Sequence, residues 1–146
     1  MYEKLSPRME QVIKLAQVVA REYGQDYVGT EHLLLAMVRE GNGKGARLLR
    51  RRSVDESQVR AAVDRLLKQR LEDTWVLGRL PGTPHFRNVI ESAIEEARQW
   101  EAREIGTEHL LLALLREDGS VAHAALRELG FRHGDVRAAL NAGEVT

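Results

Sequence analysis

Hydrophobic side chains recur three or four residues apart along most of the chain, between short polar or glycine-containing breaks, as is typical of amphipathic helices. The first helix is predicted to follow Ser6, an N-cap residue, with Pro7 at the first helical position. A second is predicted to begin at Thr30, as its N-cap, and to end at about Arg39. Residues 33–38 of this helix are all apolar, which predicts a position in the middle of the domain.

Two shorter helices complete the same unit. A third helix is predicted at about 44–51, after a glycine-rich break. Asp55 opens a fourth, because Gln58 follows three residues later in a capping-box arrangement. The chain has no alternating strand pattern of useful length, so the predicted fold class is all-α.

The four-helix unit occurs twice. The segment Gly-Thr-Glu-His-Leu-Leu-Leu-Ala at 29–36 recurs at 106–113, and the same offset of 77 residues pairs Pro7 with Pro84. We therefore expect two pseudo-symmetric four-helix repeats packed into one domain that spans 1–146. The predicted division is repeat one at about 6–70, a linker at about 71–82 and repeat two at about 83–140.

Composition narrows the possible partners. The 146 residues are 43% hydrophobic, and no apolar run approaches the roughly 20 residues needed to cross a bilayer, so no membrane partner is expected. Lys plus Arg and Asp plus Glu each total 22, and this zero net charge argues against nucleic acid. The absence of cysteine excludes disulfides and thiolate metal sites. The charged amino terminus lacks an apolar signal segment, from which we expect a cytoplasmic location.

Catalysis or metal binding by the repeated Glu-His pairs, Glu31-His32 and Glu108-His109, is an alternative function. Adjacent helical residues diverge by about 100°, and no second histidine lies three or four residues along, so these pairs are poorly placed to chelate one metal. We expect no catalytic residue, no metal and no cofactor. A small hydrolase or metal enzyme is kept as an alternative, whereas an apolar second helix argues against a helix-turn-helix regulator.

A hydroxyl residue followed by proline is the other repeated feature, at Ser6-Pro7 and Thr83-Pro84. Each places a side-chain hydroxyl and unpaired backbone N–H groups at the start of a helix. Such helix starts bind anions, including phosphate. A capping role alone also accounts for these residues.

The doubled pattern, with Gly-Thr-Glu-His-Leu-Leu-Leu in each half, resembles the amino-terminal domain of the Clp unfoldases, and the ClpC branch most of all. The resemblance covers Tyr2 to about Leu140. It implies a non-catalytic domain that receives protein substrates or adaptor proteins for a ring-shaped Clp ATPase, in cis or in trans. A free-standing Clp-repeat protein that acts as an adaptor or regulator of such an ATPase is the alternative.

The resemblance also implies a ligand. Domains of the ClpC type can recognise phosphoarginine, with one site per repeat, where a glutamate meets the guanidinium and a helix start holds the phosphate. The matching residues in this chain are Ser6, Glu31, Thr83 and Glu108. We therefore expect one site in each repeat, at the starts of its first and second helices. The arginine that usually follows the proline is Arg8 in one copy but His85 in the other.

Overall fold

The computed structural model describes residues 4–67 and 83–146, which form eight helices and no β-strand. The helices are α1 (Pro7–Glu22), α2 (Thr30–Glu40), α3 (Lys44–Arg51), α4 (Glu56–Leu67), α5 (Pro84–Gln99), α6 (Thr107–Arg116), α7 (Val121–Glu128) and α8 (His133–Asn141). The all-α fold class is confirmed. The predicted linker at about 71–82 lies outside the described residues, as does the end of repeat one at 68–70, and the repeat boundaries stay a prediction.

The first helix of each repeat begins as its sequence predicts. Ser6 Oγ accepts a hydrogen bond from the Met9 N–H at 3.0 Å, and Thr83 Oγ1 accepts one from the Phe86 N–H at 3.0 Å. Proline follows each cap residue, where its missing N–H costs no helical hydrogen bond. Both hydroxyl residues are therefore N-caps.

The second helix of each repeat begins differently from the prediction. Its N-cap is Gly29 in α2 and Gly106 in α6, so the prediction that a threonine caps its own helix is wrong. The reason is the histidine three residues later. The Gly29 N–H donates to His32 Nδ1 at 2.8 Å, and the Gly106 N–H donates to His109 Nδ1 at 2.9 Å. Each imidazole thus takes the place of the usual Glu or Gln of a capping box.

Helices α2 and α6 lie at the centre of the molecule. The leucine-rich runs at 33–37 and 110–114 are completely buried. Helix α1 packs on α2 and α5 packs on α6, while α3 packs on α6 and α2 packs on α7, so the two repeats share one core. The predicted central position of the second helices is confirmed. None of the described helices is long and apolar enough to span a bilayer.

Threonine hydroxyls join the two repeats. Thr107 Oγ1, at the first residue of α6, accepts a hydrogen bond from the Gly45 N–H in the first turn of α3 at 3.1 Å. Thr30 Oγ1, at the first residue of α2, accepts one from the Ala122 N–H in the first turn of α7 at 3.1 Å. Both threonines are buried. Each one satisfies an N–H at the start of the third helix of the opposite repeat, where an intrahelical acceptor is lacking.

Two glycines at the start of α3 allow the repeats to approach this closely. A methyl group on Gly43 would lie 2.9 Å from Thr107 Cγ2, and one on Gly45 would lie 2.7 Å from Met37 Sδ. Real Cβ atoms do not approach other atoms so closely, so a side chain at either position would push α3 away from α6. These glycines are therefore explained by packing between the repeats.

We expect Gly43→Ala to lower the free energy of unfolding by roughly 1–3 kcal/mol, because the added methyl overpacks the contact with Thr107. The matched control is Gly134→Ala in α8, where a methyl group meets no atom within 4 Å. This control is expected to be stabilising by roughly 0.5–1 kcal/mol, since alanine favours a helix over glycine. Urea unfolding of the three chains measures both changes. Equal stability of Gly43→Ala and wild type would contradict the packing role.

Candidate functional site

The start of α1 lies against the other repeat. The Ser6 N–H donates to the Ile105 carbonyl oxygen at 3.0 Å, and the Ile105 N–H donates to the Lys4 carbonyl oxygen at 2.7 Å. Ile105 comes just before α6, so Ser6 is held close to the helix start that carries Glu108. The other half repeats this contact, since the Thr83 N–H donates to the Val28 carbonyl oxygen at 3.0 Å, just before α2.

The expected grouping of the four site residues, with one site inside each repeat, is therefore wrong. Arg8 Nε, in the first turn of α1, donates to Glu40 Oε2 at 3.1 Å, at the end of α2. The ring of Tyr23, just after α1, lies 5.8 Å between centroids from that of His32 in the first turn of α2, so the two contacts together show that α1 and α2 run antiparallel. The start of α1 is thus separated from Glu31 by the length of α2, roughly 15 Å for an 11-residue helix. Ser6 instead pairs with Glu108, and Thr83 lies beside the segment that leads to Glu31.

An open cavity of about 640 Å³ joins Ser6 to Glu108, and we call it the Ser6–Glu108 cavity. Its lining is Ser6, Pro7, Arg8, Gly43, Lys44, Arg47, Ala102, Arg103, Glu104, Gly106, Thr107, Glu108, His109 and Thr146. The Glu108 side chain is 23% exposed. In the first turn of α1, Pro7 has no N–H and Met9 donates to Ser6, so the Arg8 N–H is left without an acceptor among the described residues. The cavity therefore offers both a carboxylate and a helix start.

Cationic side chains and one further carboxylate, the exposed Glu104, line the cavity around Glu108. Lys44 Nζ lies 3.8 Å from Glu108 Oε2. Arg47 Nε is buried without a hydrogen-bond acceptor in the described part of the chain, and Arg103 is exposed at the same cavity. An arrangement of this kind suits a ligand that is cationic at one end and anionic at the other, because the carboxylate meets the first charge and the arginines meet the second.

The Thr83–Glu31 pair is closed by comparison. Glu31 and Thr83 are both fully buried. The Tyr27 hydroxyl donates to Glu31 Oε2 at 3.3 Å, and the Tyr27 ring lies 5.5 Å from that of His32, between centroids. The Glu31 carboxylate is therefore inaccessible in this conformation. By sequence the two candidate sites look equivalent. In the structure, the Glu108 carboxylate is accessible and the Glu31 carboxylate is not.

The N-cap glycine of α2 and of α6 leaves room for the glutamate side chain two residues later. A methyl group on Gly29 would lie 2.9 Å from Glu31 Cδ, and one on Gly106 would lie 3.1 Å from Glu108 Cδ. Each glutamate side chain therefore folds back over the N-cap glycine of its own helix. There the carboxylate lies near the N–H groups at the start of its own helix. This packing explains the glycine of the repeated Gly-Thr-Glu-His motif.

The two motif histidines have structural roles. Besides accepting the glycine N–H groups, both are buried, and burial lowers the pKa of His32 to about 4 and also lowers the pKa of His109. Each Nδ1 lone pair is thus occupied by a hydrogen bond. Over residues 4–67 and 83–146, no three His, Asp or Glu side chains are grouped so that they could hold a metal. Nothing in this geometry supports the hydrolase or metal-enzyme alternative.

Comparison with known proteins identifies the family. The model of the Clp repeat (R) N-terminal domain family matches residues 4–129 and 81–142. The chain belongs to the Clp N-terminal domain family. It is 37% identical over 137 residues to the chloroplastic chaperone protein ClpC2 of Oryza sativa subsp. japonica, and 38% identical over 138 residues to the Clp protease ATP-binding subunit ClpA homolog of Porphyra purpurea. These alignments cover 94% of this chain but only 15% and 17% of the two relatives.

Solved structures show the same fold. The N-terminal domain of ClpD from Arabidopsis thaliana superposes with a TM-score of 0.76 at 23% identity, and 97% of this chain and 96% of that one are covered. The Hsp104 N-terminal domain from Candida albicans superposes with a TM-score of 0.73 at 17% identity, with 98% and 94% covered. At these identities the likeness shows the fold alone.

Within this Clp N-terminal domain, the residues that make the two candidate sites different lie outside the repeated motifs. The differing pairs, each related by the 77-residue offset, are Tyr27 and Glu104, Lys44 and Val121, and Arg47 and Ala124. In the first pair, Tyr27 contacts Glu31, whereas Glu104, at the equivalent position of the other repeat, is an exposed carboxylate. The other two add cations to the Ser6–Glu108 cavity. These differences can be found by comparing the two repeats position by position. They are missed when only the residues common to both repeats are considered.

We expect burial of His32 to make the protein less stable in acid. Its folded pKa is about 4, against about 6.5 when unfolded, so below pH 6.5 the unfolded chain takes up a proton that the folded chain excludes. Stability should therefore be lost as the pH falls, by about 2 kcal/mol between pH 6.5 and pH 5. His32→Gln keeps an acceptor for the Gly29 N–H and cannot titrate. Urea unfolding over this pH range should show a shallower decline for the variant, and identical slopes would contradict the assignment.

Proposed function

We propose that this chain receives substrates and adaptor proteins for a Clp-type ATPase and that its Ser6–Glu108 cavity binds phosphoarginine on protein substrates. Clp N-terminal domains are non-catalytic, substrate- or adaptor-binding domains of ATPases, and family membership supports the first part. The ATPase ring would be joined to this domain in one chain or bound as a separate protein. The cytoplasmic location expected from the sequence stays a prediction, and ClpC2 of Oryza sativa is named as a chloroplast protein.

One observation carries the second part of the proposal: Ser6 at a helix start and Glu108 line the same open cavity. In phosphoarginine, the guanidinium and the phosphate are covalently linked and therefore lie side by side. The Glu108 carboxylate can accept two parallel hydrogen bonds from the guanidinium. The Arg8 N–H, the Ser6 hydroxyl and the cationic side chains can hold the phosphate.

The same charges disfavour simpler ligands. Inorganic phosphate or phosphoserine would meet the cationic side chains but would also face Glu108, which repels it. Free arginine would meet Glu108 but also the cationic side chains of Lys44, Arg47 and Arg103. A ligand that carries both charges satisfies both parts of the cavity.

The Thr83–Glu31 pair is the weaker of the two proposed sites. Glu31 occupies the position in repeat one that Glu108 occupies in repeat two, and Thr83 is an N-cap like Ser6. However, Glu31 is completely buried and its carboxylate accepts a hydrogen bond from the Tyr27 hydroxyl, so a ligand can reach it only after a rearrangement. We therefore propose that one molecule of phosphoarginine binds per chain.

Calorimetric titration with free phosphoarginine tests the proposal. We expect a single site for phosphoarginine and much weaker binding of arginine and phosphoserine. Glu108→Gln should weaken phosphoarginine binding tenfold or more, because it removes a charge-assisted hydrogen-bond pair. The matched control is Glu91→Gln, which makes the same change at an exposed position of α5 outside the cavity.

Three outcomes are informative. Loss of binding in Glu108→Gln alone supports the proposed site. Undiminished one-site binding in Glu108→Gln points instead to the Thr83–Glu31 pair. No binding of phosphoarginine by the wild-type chain would reject phosphoarginine as the ligand while leaving the family assignment intact.

A further inference from the structure

Lys44 is held next to the Glu108 carboxylate by the contact between the repeats. It is the first residue of α3, and the next residue, Gly45, donates its N–H to Thr107 Oγ1. Thr107 is the neighbour of Glu108 in the chain. The position of the Lys44 backbone relative to Glu108 is therefore set by buried packing, although the Lys44 side chain itself is 42% exposed.

The ion pair between Lys44 and Glu108 belongs to one half of the molecule only. In the other half, the position of Lys44 is taken by Val121, which is buried at the start of α7. Helix α7 forms and packs with valine at this position, so the start of a third helix does not itself require a lysine. A charged residue that folding does not require, placed 3.8 Å from the carboxylate of the proposed site, points to a role in binding.

We propose that Lys44 determines the specificity of the Ser6–Glu108 cavity by changing partners: it neutralises Glu108 in the free protein and pairs with the anionic group of the bound ligand. This inference rests on the proposed function, since it assumes that Glu108 receives the cationic end of a ligand. It adds that a ligand with a cation alone is rejected, because such a ligand displaces Lys44 without giving it a new partner.

The charges around Lys44 explain this selectivity. Arg47 and Arg103 line the same cavity, and neither has an ion-pair partner within the described ranges. A displaced Lys44 ammonium would lose its pairing with Glu108 in a cavity that holds these two arginines and only one further carboxylate side chain, the exposed Glu104, and that loss is unfavourable. A phosphate bound beside the guanidinium removes this penalty, since it accepts charge-assisted hydrogen bonds from Lys44 as well as from the arginines.

A second effect shows that both charges act at the start of α6. Burial is the main cause of the lowered pKa of His109, but the Glu108 carboxylate raises that pKa and the Lys44 ammonium lowers it. The lysine and the glutamate thus influence the same buried group in opposite directions. If the Lys44 charge is removed, the Glu108 carboxylate loses its ion-pair partner and attracts a ligand cation more strongly.

Titration of Lys44→Met with phosphoarginine and with arginine tests the role of Lys44. Methionine keeps an unbranched side chain of similar length and removes the charge. We expect Lys44→Met to bind arginine more tightly and phosphoarginine more weakly than wild type, so that the ratio of the two affinities falls about tenfold. Lys44→Arg keeps the charge and should keep the wild-type ratio. Lys14→Met, at an exposed position of α1 outside the cavity, is the matched charge control and should also keep it.

The outcomes separate this inference from the proposed function. If the wild type binds phosphoarginine and Lys44→Met keeps the wild-type ratio, the role of Lys44 is overturned and the proposed function stands. If the wild-type chain does not bind phosphoarginine, both are overturned. A ratio that falls equally in Lys14→Met would show a general effect of net charge and would also overturn the role of Lys44.

Discussion

The structure depends on two buried hydrogen bonds that cross between the repeats. Thr107 and Thr30, each at the first residue of a central helix, accept N–H groups from the first turn of a helix in the opposite repeat. Because a buried N–H without an acceptor costs roughly 1–3 kcal/mol, these bonds define the positions at which the repeats meet. That meeting in turn brings the start of α1 to the start of α6. The Ser6–Glu108 cavity is therefore a product of the contact between repeats, and neither repeat contains it alone.

Within this symmetric frame, the two sites differ through a few side chains. Tyr27 covers Glu31 in one half, whereas Glu104 in the equivalent position leaves Glu108 accessible. Lys44 adds a cation beside the accessible carboxylate, where the other half has an apolar residue. The backbone is thus conserved between the halves and the chemistry is not. A domain of this kind can specialise one site for a ligand while the matching position serves as core.

Local sequence signals predicted much of the fold, and long-range geometry explains what they missed. The N-cap at Ser6 and the central position of α2 depend on neighbouring residues and on a run of apolar side chains, so both were predictable. The capping role of His32 was not, because threonine is also a good N-cap. Only the structure shows that His32 Nδ1 accepts the Gly29 N–H while Thr30 bonds to the other repeat. The four candidate site residues were identified, but pairing Ser6 with Glu108 requires knowing that α1 and α2 run antiparallel.

The cross-repeat threonine bonds have an evolutionary consequence. Each half gives the other the same contact that it receives, which is the reciprocity of an isologous interface between two identical subunits. A single ancestral repeat could have satisfied its third helix and buried its central helix only by pairing with a second copy. The arrangement is thus that of a two-fold dimer whose two halves lie in one chain. Because one chain carries both halves, they need not share a sequence, and the surroundings of Glu31 and Glu108 differ accordingly.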